Sequence, residues 1–195
     1  MIVIKSFTQA DARPFKNDLA RLRIQVFREF PYLYDGSLEY EENYLETLFQ
    51  SNDSIMVIAF DGEQVIGAST GMPLENETPD IQQPWIDHQQ EISKVFYFSE
   101  SVLLKKYRGQ GIGVQFFQER EAWARKLLSF TKLTFCGVVR ADDHPQRPKD
   151  YFPLDEFWKK RGFSKQDGYI CYLSWKEVGE SQESKKALQF WSKDL

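Results

Sequence analysis

Three glycines and three cations crowd into one stretch of the chain, Lys105-Lys106-Tyr107-Arg108-Gly109-Gln110-Gly111-Ile112-Gly113. Residues of these types at this spacing are suited to holding an anion. Glycine lets the backbone approach a ligand closely and leaves N–H groups facing outward. A helix starting directly after the glycines adds free amides and a dipole, which favour a negative group by roughly 0.3–1 kcal/mol. A pyrophosphate fits such a cradle. Two better-known phosphate loops do not match. A P-loop requires Lys-Ser or Lys-Thr after its last glycine, and Val114-Gln115 stands there instead. The dinucleotide fingerprint requires glycines at offsets 0, 2 and 5, whereas Gly109, Gly111 and Gly113 lie at 0, 2 and 4.

The elements that must position this stretch can be read from hydrophobic period. Residues 95–104 read as a strand that runs into the glycines. Residues 111–128 read as a helix, with Ile112, Phe116, Trp123 and Leu127 on one face. Upstream, 2–7 read as a short strand. Asp11 follows as a helix N-cap with Pro14 in the first turn. The helix runs to about residue 30 on Phe15, Leu19, Leu22 and Val26. An aromatic, turn-rich segment, Phe30-Pro31-Tyr32-Leu33-Tyr34-Asp35-Gly36, leads to an acidic helix over 38–50. Apolar runs 55–60 and 64–71 around Asp61-Gly62 predict a hairpin. Residues 74–94 are polar and Pro-punctuated and read as a long loop. A strand at 133–140, a loop at 141–152, a short helix at 153–161 and a strand at 169–175 complete the pattern. Within the C-terminal tail 178–195, residues 184–195 read as an amphipathic segment. The order predicts one α/β (α+β) domain over 1–195, with a mixed sheet flanked by helices.

Composition narrows the partners. A chain of 195 residues with 42% hydrophobic and 15% aromatic residues buries a real core and is not disordered as a whole. No apolar run approaches the roughly 20 residues of a membrane span, and the first residues lack a signal peptide's long apolar region. The expectation is a cytoplasmic protein without a membrane partner. Cys136 and Cys171 show no metal-type spacing, and His88 and His144 lie far apart, so inert thiols and no metal site are expected. Charge is uneven: residues 35–100 hold one basic and fourteen acidic residues, whereas 101–132 hold seven basic and two acidic. The overall net charge of −4 argues against nucleic acid as a partner.

The segment Arg108-Gly109-Gln110-Gly111-Ile112-Gly113 resembles the Arg/Gln-x-x-Gly-x-Gly/Ala signature of the GNAT superfamily of acyl-CoA-dependent N-acyltransferases. The likeness extends along nearly the whole chain, through the strand-turn-helix at 95–128 to Arg161-Gly162-Phe163. It implies a mostly antiparallel sheet with splayed central strands and acetyl-CoA as cofactor. It implies that the backbone of Arg108, Gly109, Gln110, Gly111, Ile112 and Gly113 binds the coenzyme A pyrophosphate. The main chain of Ser101, Val102, Leu103 and Leu104 would pair with the pantetheine arm. The reaction implied is transfer of an acetyl group to a primary amine, on a small molecule or an exposed amine, by direct attack in a ternary complex.

Such a reaction needs a base, because an amine of pKa about 10.4 is protonated at neutral pH. Glu100 is the carboxylate nearest the reacting end of the strand, although it lies off the face shared by Ser101 and Leu103 unless a bulge intervenes. His144, an imidazole, is the other candidate. Many family members carry a Tyr four residues before the Gly-Phe pair as acid to the thiolate. Trp158 stands there, leaving Tyr151 or Tyr107 as available phenols. Tyr32, Tyr34 and Asp35 are candidates to line a cation-friendly acceptor pocket. Two other readings stay open: an acyl-CoA-binding or sensing module, and a protein-interaction domain using the acidic 35–100 surface. The oligomeric expectation is a monomer or a homodimer.

Overall fold

A continuous apolar run marks a strand buried on both faces, and Ile55–Asp61 (β2) is buried at every residue but its last. The computed structural model describes the backbone of residues 1–195 and all side chains except those of Gln9 and Ala10. Around β2 lie β1 (Ile2–Thr8), β3 (Gln64–Pro73), β4 (Val95–Leu103), β5 (Lys132–Val138), β6 (Ser164–Trp175) and β7 (Ser184–Asp194). They form one sheet in the order β1-β2-β3-β4-β5-β7-β6. Only the β4–β5 pair is parallel. Helices α1 (Lys16–Phe27), α2 (Leu38–Gln50) and α3 (Pro79–Asp87) cover one face. Helices α4 (Ile112–Leu127) and α5 (Asp155–Lys159) cover the other. Among the described residues no helix is long and apolar enough to cross a membrane.

Three sequence expectations need correction. Asp11 does not cap a helix: Gln9–Phe15 is a 3-10 segment, and α1 starts at Lys16 and ends at Phe27, short of residue 30. Residues 74–94 are not a loop. Pro79 sits at the start of α3, where its missing N–H costs nothing, and Ile81 and Trp85, one turn apart, are buried. Residues 184–195 are not an amphipathic tail. They form β7, inserted between β5 and β6, with Leu188, Phe190 and Trp191 all buried.

Two irregularities in β4 position the site. Its pairing with β5 covers only Val95–Tyr97 against Lys132–Thr134. Beyond Tyr97 the two strands diverge, which is the splay the resemblance implies. On the other edge, Thr70 pairs with Glu100 but Met72 pairs with Tyr97, so Gly71 alone opposes Phe98 and Ser99. This is a β-bulge. Gly71 has no room for a side chain, since a Cβ would lie 2.7 Å from the Phe96 ring. The bulge resets the alternation of side chains. Phe98 packs toward α4 against Phe117 and Phe163. Ser99 and Glu100 then both face the α1 side, where they meet Glu77 and Arg23. Ser101 returns to the α4 side.

Candidate active site

The two faces of β4 carry different chemistry. On the α4 side, Gly109 and Gly111 have φ of 78° and 84°, in the left-handed region that favours glycine. A Cβ at either would meet no protein atom within 4 Å. The amides of Gly111, Ile112 and Gly113, at the start of α4, have no protein acceptor among the described residues. Glycine at these points serves an approach from outside the chain, so the segment fits a phosphate ligand. Gly113 differs, since a Cβ there would touch Phe157 at 3.4 Å. The Arg108 Nε donates to Leu103 O at 3.1 Å and its terminal nitrogen pairs with Glu29 at 2.8 Å, bracing the turn against the strand and the end of α1.

Beside the turn lies the slot left by β5. The Leu104 N–H donates to Ile66 O on β3, so strand alternation turns the main-chain groups of Val102 to β3 as well. Those of Ser101 and Leu103 face the slot. Of the four strand residues expected to meet the pantetheine arm, the backbone therefore offers Ser101 and the N–H of Leu103, whose carbonyl accepts from Arg108, while Val102 and Leu104 donate toward the sheet.

Arg120 of α4, 1% exposed, lies under this strand. It donates to Phe116 O, Thr70 O and Glu100 O at 3.1 Å each and to Ser101 Oγ at 2.9 Å. Its guanidinium lies 4.1 Å over the Phe98 ring. Among the described residues it has no carboxylate partner. Burial lowers its pKa to about 9, which leaves the charge in place at neutral pH. Sequence inspection missed this residue, although Phe116, Arg120 and Ala124 follow at i, i+4, i+8 on the apolar stripe of the helix.

On the α1 side, Arg23 forms ion pairs with both Glu41 and Glu100, with side-chain exposures of 9%, 0% and 6%. The Tyr44 ring lies 4.2 Å from its guanidinium. Glu100 is thus held in a buried pair and is not a free carboxylate. Burial, and then the nearby Glu41 carboxylate, raise the Tyr34 phenol above its ordinary range. Glu77, from the segment read as a loop, is half-buried here. It accepts from its neighbour Thr78 N–H at 3.3 Å, and the Ser99 side chain at the bulge lies close by. Burial raises its pKa, and no salt bridge involves it among the described residues.

The aromatic segment after α1 is pinned from the far end of the sheet. Arg140 donates to Pro31 O at 2.6 Å and Tyr32 O at 3.1 Å, and Trp175 Nε1 donates to Tyr32 O at 3.1 Å. The Tyr32 ring packs on Phe27 and Trp175, and burial raises its phenol. Asp35 is spent on Lys176 and Arg28, which hold its carboxyl below the usual range. The Phe30 ring contacts Tyr151 at 4.6 Å and His144 at 5.5 Å, bringing together two candidates from the 141–152 loop. Burial raises the Tyr151 phenol. His144 Nδ1 accepts from Gln146 N–H at 3.2 Å. Tyr107 is committed to Asp61 at 3.0 Å. Trp158 packs between Phe135 and Trp191 and against Gly137, where it serves the core. Cys136 and Cys171 are free thiols, and the Tyr97 hydroxyl lies 3.2 Å from the Cys136 sulfur at the apex of the splay.

Solved structures share this architecture. A GNAT acetyltransferase from Streptococcus pneumoniae aligns at TM-score 0.60 and 13% identity, over 100% of this chain and 99% of that one. A ribosomal-protein-alanine N-acetyltransferase from Brucella melitensis aligns at 0.62 and 15%, over 99% of each chain. A GNAT acetyltransferase from Staphylococcus aureus aligns at 0.63 and 14%, over 100% and 99%. No curated protein matches the sequence. The family model for GNAT acetyltransferases matches residues 19–163, which span the splay, the bulge and the glycine turn, and the chain belongs to that family.

Proposed function

We propose that this acyltransferase moves an acetyl group from acetyl-CoA to a primary amine by direct attack in a ternary complex. The observation that carries the reading is the slot where β4 leaves β5, opening beside a glycine turn with outward amides. Acetyl-CoA supplies the activated acetyl thioester. The amides of Gly109 to Gly113 and the cations Lys105, Lys106 and Arg108 hold its pyrophosphate, and the slot-facing main chain of Ser101 and Leu103 orients the arm. The acceptor enters from the α1 side, where Glu41, Glu77 and Glu100 outnumber Arg23 and favour a cationic amine.

The amine must shed a proton before it attacks. Glu77 is the carboxylate on that face that no ion pair claims, and burial raises its affinity for a proton. We assign it the base, with the Thr78 N–H holding one of its carboxylate oxygens. Glu100, locked to Arg23, sets the field of the pocket. His144, packed against Phe30, is the rival base. Tyr151 keeps its proton at neutral pH and is the phenol available to the departing thiolate. The ammonium gives one proton to Glu77, which passes it to solvent; the nitrogen–carbon bond then forms and the carbon–sulfur bond breaks, and the second proton leaving the nitrogen balances the one gained by the thiolate.

Acetyl-CoA should raise the melting temperature, and thiol release across a panel of amines should identify the acceptor class. No melting shift would reject the cofactor assignment. A shift without thiol release from any amine would favour an acyl-CoA-binding module, the reading that Trp158 in the usual phenol position supports.

A further inference from the structure

Burying a cation without a counter-anion is costly, and a protein rarely keeps one without a use. Arg120 is such a cation: 1% exposed, bonded only to three carbonyls and one hydroxyl. One of those carbonyls belongs to the peptide joining Glu100 to Ser101. In a trans peptide the C=O and the N–H point in opposite directions. The Glu100 carbonyl faces Arg120, so the N–H of the same peptide, that of Ser101, faces the slot. A cation on the carbonyl draws electron density from the amide and strengthens its N–H as a donor. The same guanidinium fixes the Ser101 side chain and both strands at the bulge, through Thr70 O and Ser101 Oγ.

We infer that Arg120 is a positioning residue for acyl transfer, which sets and polarises the Ser101 N–H as the donor to the carbonyl oxygen of the thioester. The inference rests on the acetyl-CoA reading above and adds to it a residue that touches no ligand. Negative charge grows on that oxygen during attack, and a donor preset in a buried site stabilises it without reorganisation. The guanidinium acts from behind the strand, shielded by Phe98 and Phe117, where water does not screen it.

The test uses acetyl-CoA carrying carbon-13 at the acetyl carbonyl, bound to the full chain without an acceptor and read by infrared difference spectroscopy. In the wild type the carbonyl band should fall below its position in water. In Arg120→Met it should return most of the way, while acetyl-CoA still raises the melting temperature. Arg120→Lys, which keeps the charge and loses the fork, should lie between. With an amine acceptor, kcat should drop about 10- to 100-fold in Arg120→Met, while the KM for acetyl-CoA stays within about threefold. A wild-type band at the position found in water would overturn the inference. So would an Arg120→Met band equal to the wild type's, or a loss confined to KM. Should Arg120→Met fail to fold, the wild-type band and Arg120→Lys still decide. Absence of any melting shift in the wild type is a separate result, which rejects the cofactor assignment itself.

Discussion

On the α4 side of β4, the groups proposed to meet a ligand are backbone amides from one short run, Ser101 to Gly113. On the α1 side they are side chains gathered from four segments: Arg23 on α1, Tyr34 and Glu41 around the start of α2, Glu77 before α3, and Ser99 and Glu100 at the bulge. A backbone site needs only a conformation, and glycines secure that locally. A side-chain site needs a fold to assemble it and a consistent charge balance to keep it buried. The first tolerates change in its surroundings, whereas the second fails when one member is removed.

The largest effect should follow from breaking the backbone site. Gly111→Glu places a carboxylate and a strained φ at the turn proposed to hold the pyrophosphate. Wild-type protein at about 100 times Kd should gain roughly 2.7 kcal/mol, or roughly 5–11 °C, and the variant should gain nothing. A retained shift would show that the turn holds no anion. Next in size, Arg23→Met should destabilise the fold by about 3–5 kcal/mol in urea unfolding at neutral pH, because Glu41 and Glu100 are left buried without a partner. Adding Glu41→Gln and Glu100→Gln should recover most of that loss. If it does not, the charge balance is not what holds this face together.

A third comparison lies within the α1 side. Glu77→Gln should lower kcat about 100-fold and remove the acidic limb of the pH–rate profile, whereas Glu100→Gln should act mainly on stability. Because burial raises the Glu77 pKa, that limb should lie above 4.5, the ordinary value of a glutamate. Equal profiles for wild type and Glu77→Gln would move the base to His144. The smallest effect concerns pH and stability. The Glu180 pKa is lowered to about 2, first by the Glu177 N–H and then by Ser184 and Lys186. Its contribution is complete above 4.5 and disappears as the pH falls toward 2. Glu77 has the opposite sign, since its ionisation costs stability as the pH rises above 4.5. Melting curves of Glu180→Gln should therefore converge with wild type only in strong acid. Those of Glu77→Gln should diverge above pH 4.5, with the variant the more stable. Parallel curves would contradict both assignments.

The strand, turn and helix of the α4 side were legible because their signals are local: alternation, positive-φ glycines and an apolar stripe all fall within 95–128. The 38–50 helix and the Asp61-Gly62 hairpin were legible for the same reason. Glu77 was hidden because prolines at 79 and 84 read as loop punctuation, whereas the first opens a helix and the second is buried within it. The place of β7 between β5 and β6 was hidden because strand order depends on pairing partners far apart in the chain.

The sequence by itself determined that a glycine turn with adjacent cations begins a helix after an apolar strand, since backbone conformation there depends on neighbouring residues alone. It left open which face Glu100 takes. One extra residue opposite Gly71 reversed the alternation and delivered Glu100 to Arg23, and only pairing with β3 could impose that. Only the tertiary structure placed Arg120 under the peptide it bonds. A buried cation is defined by what surrounds it, and its surroundings come from β3, β4 and α4 together.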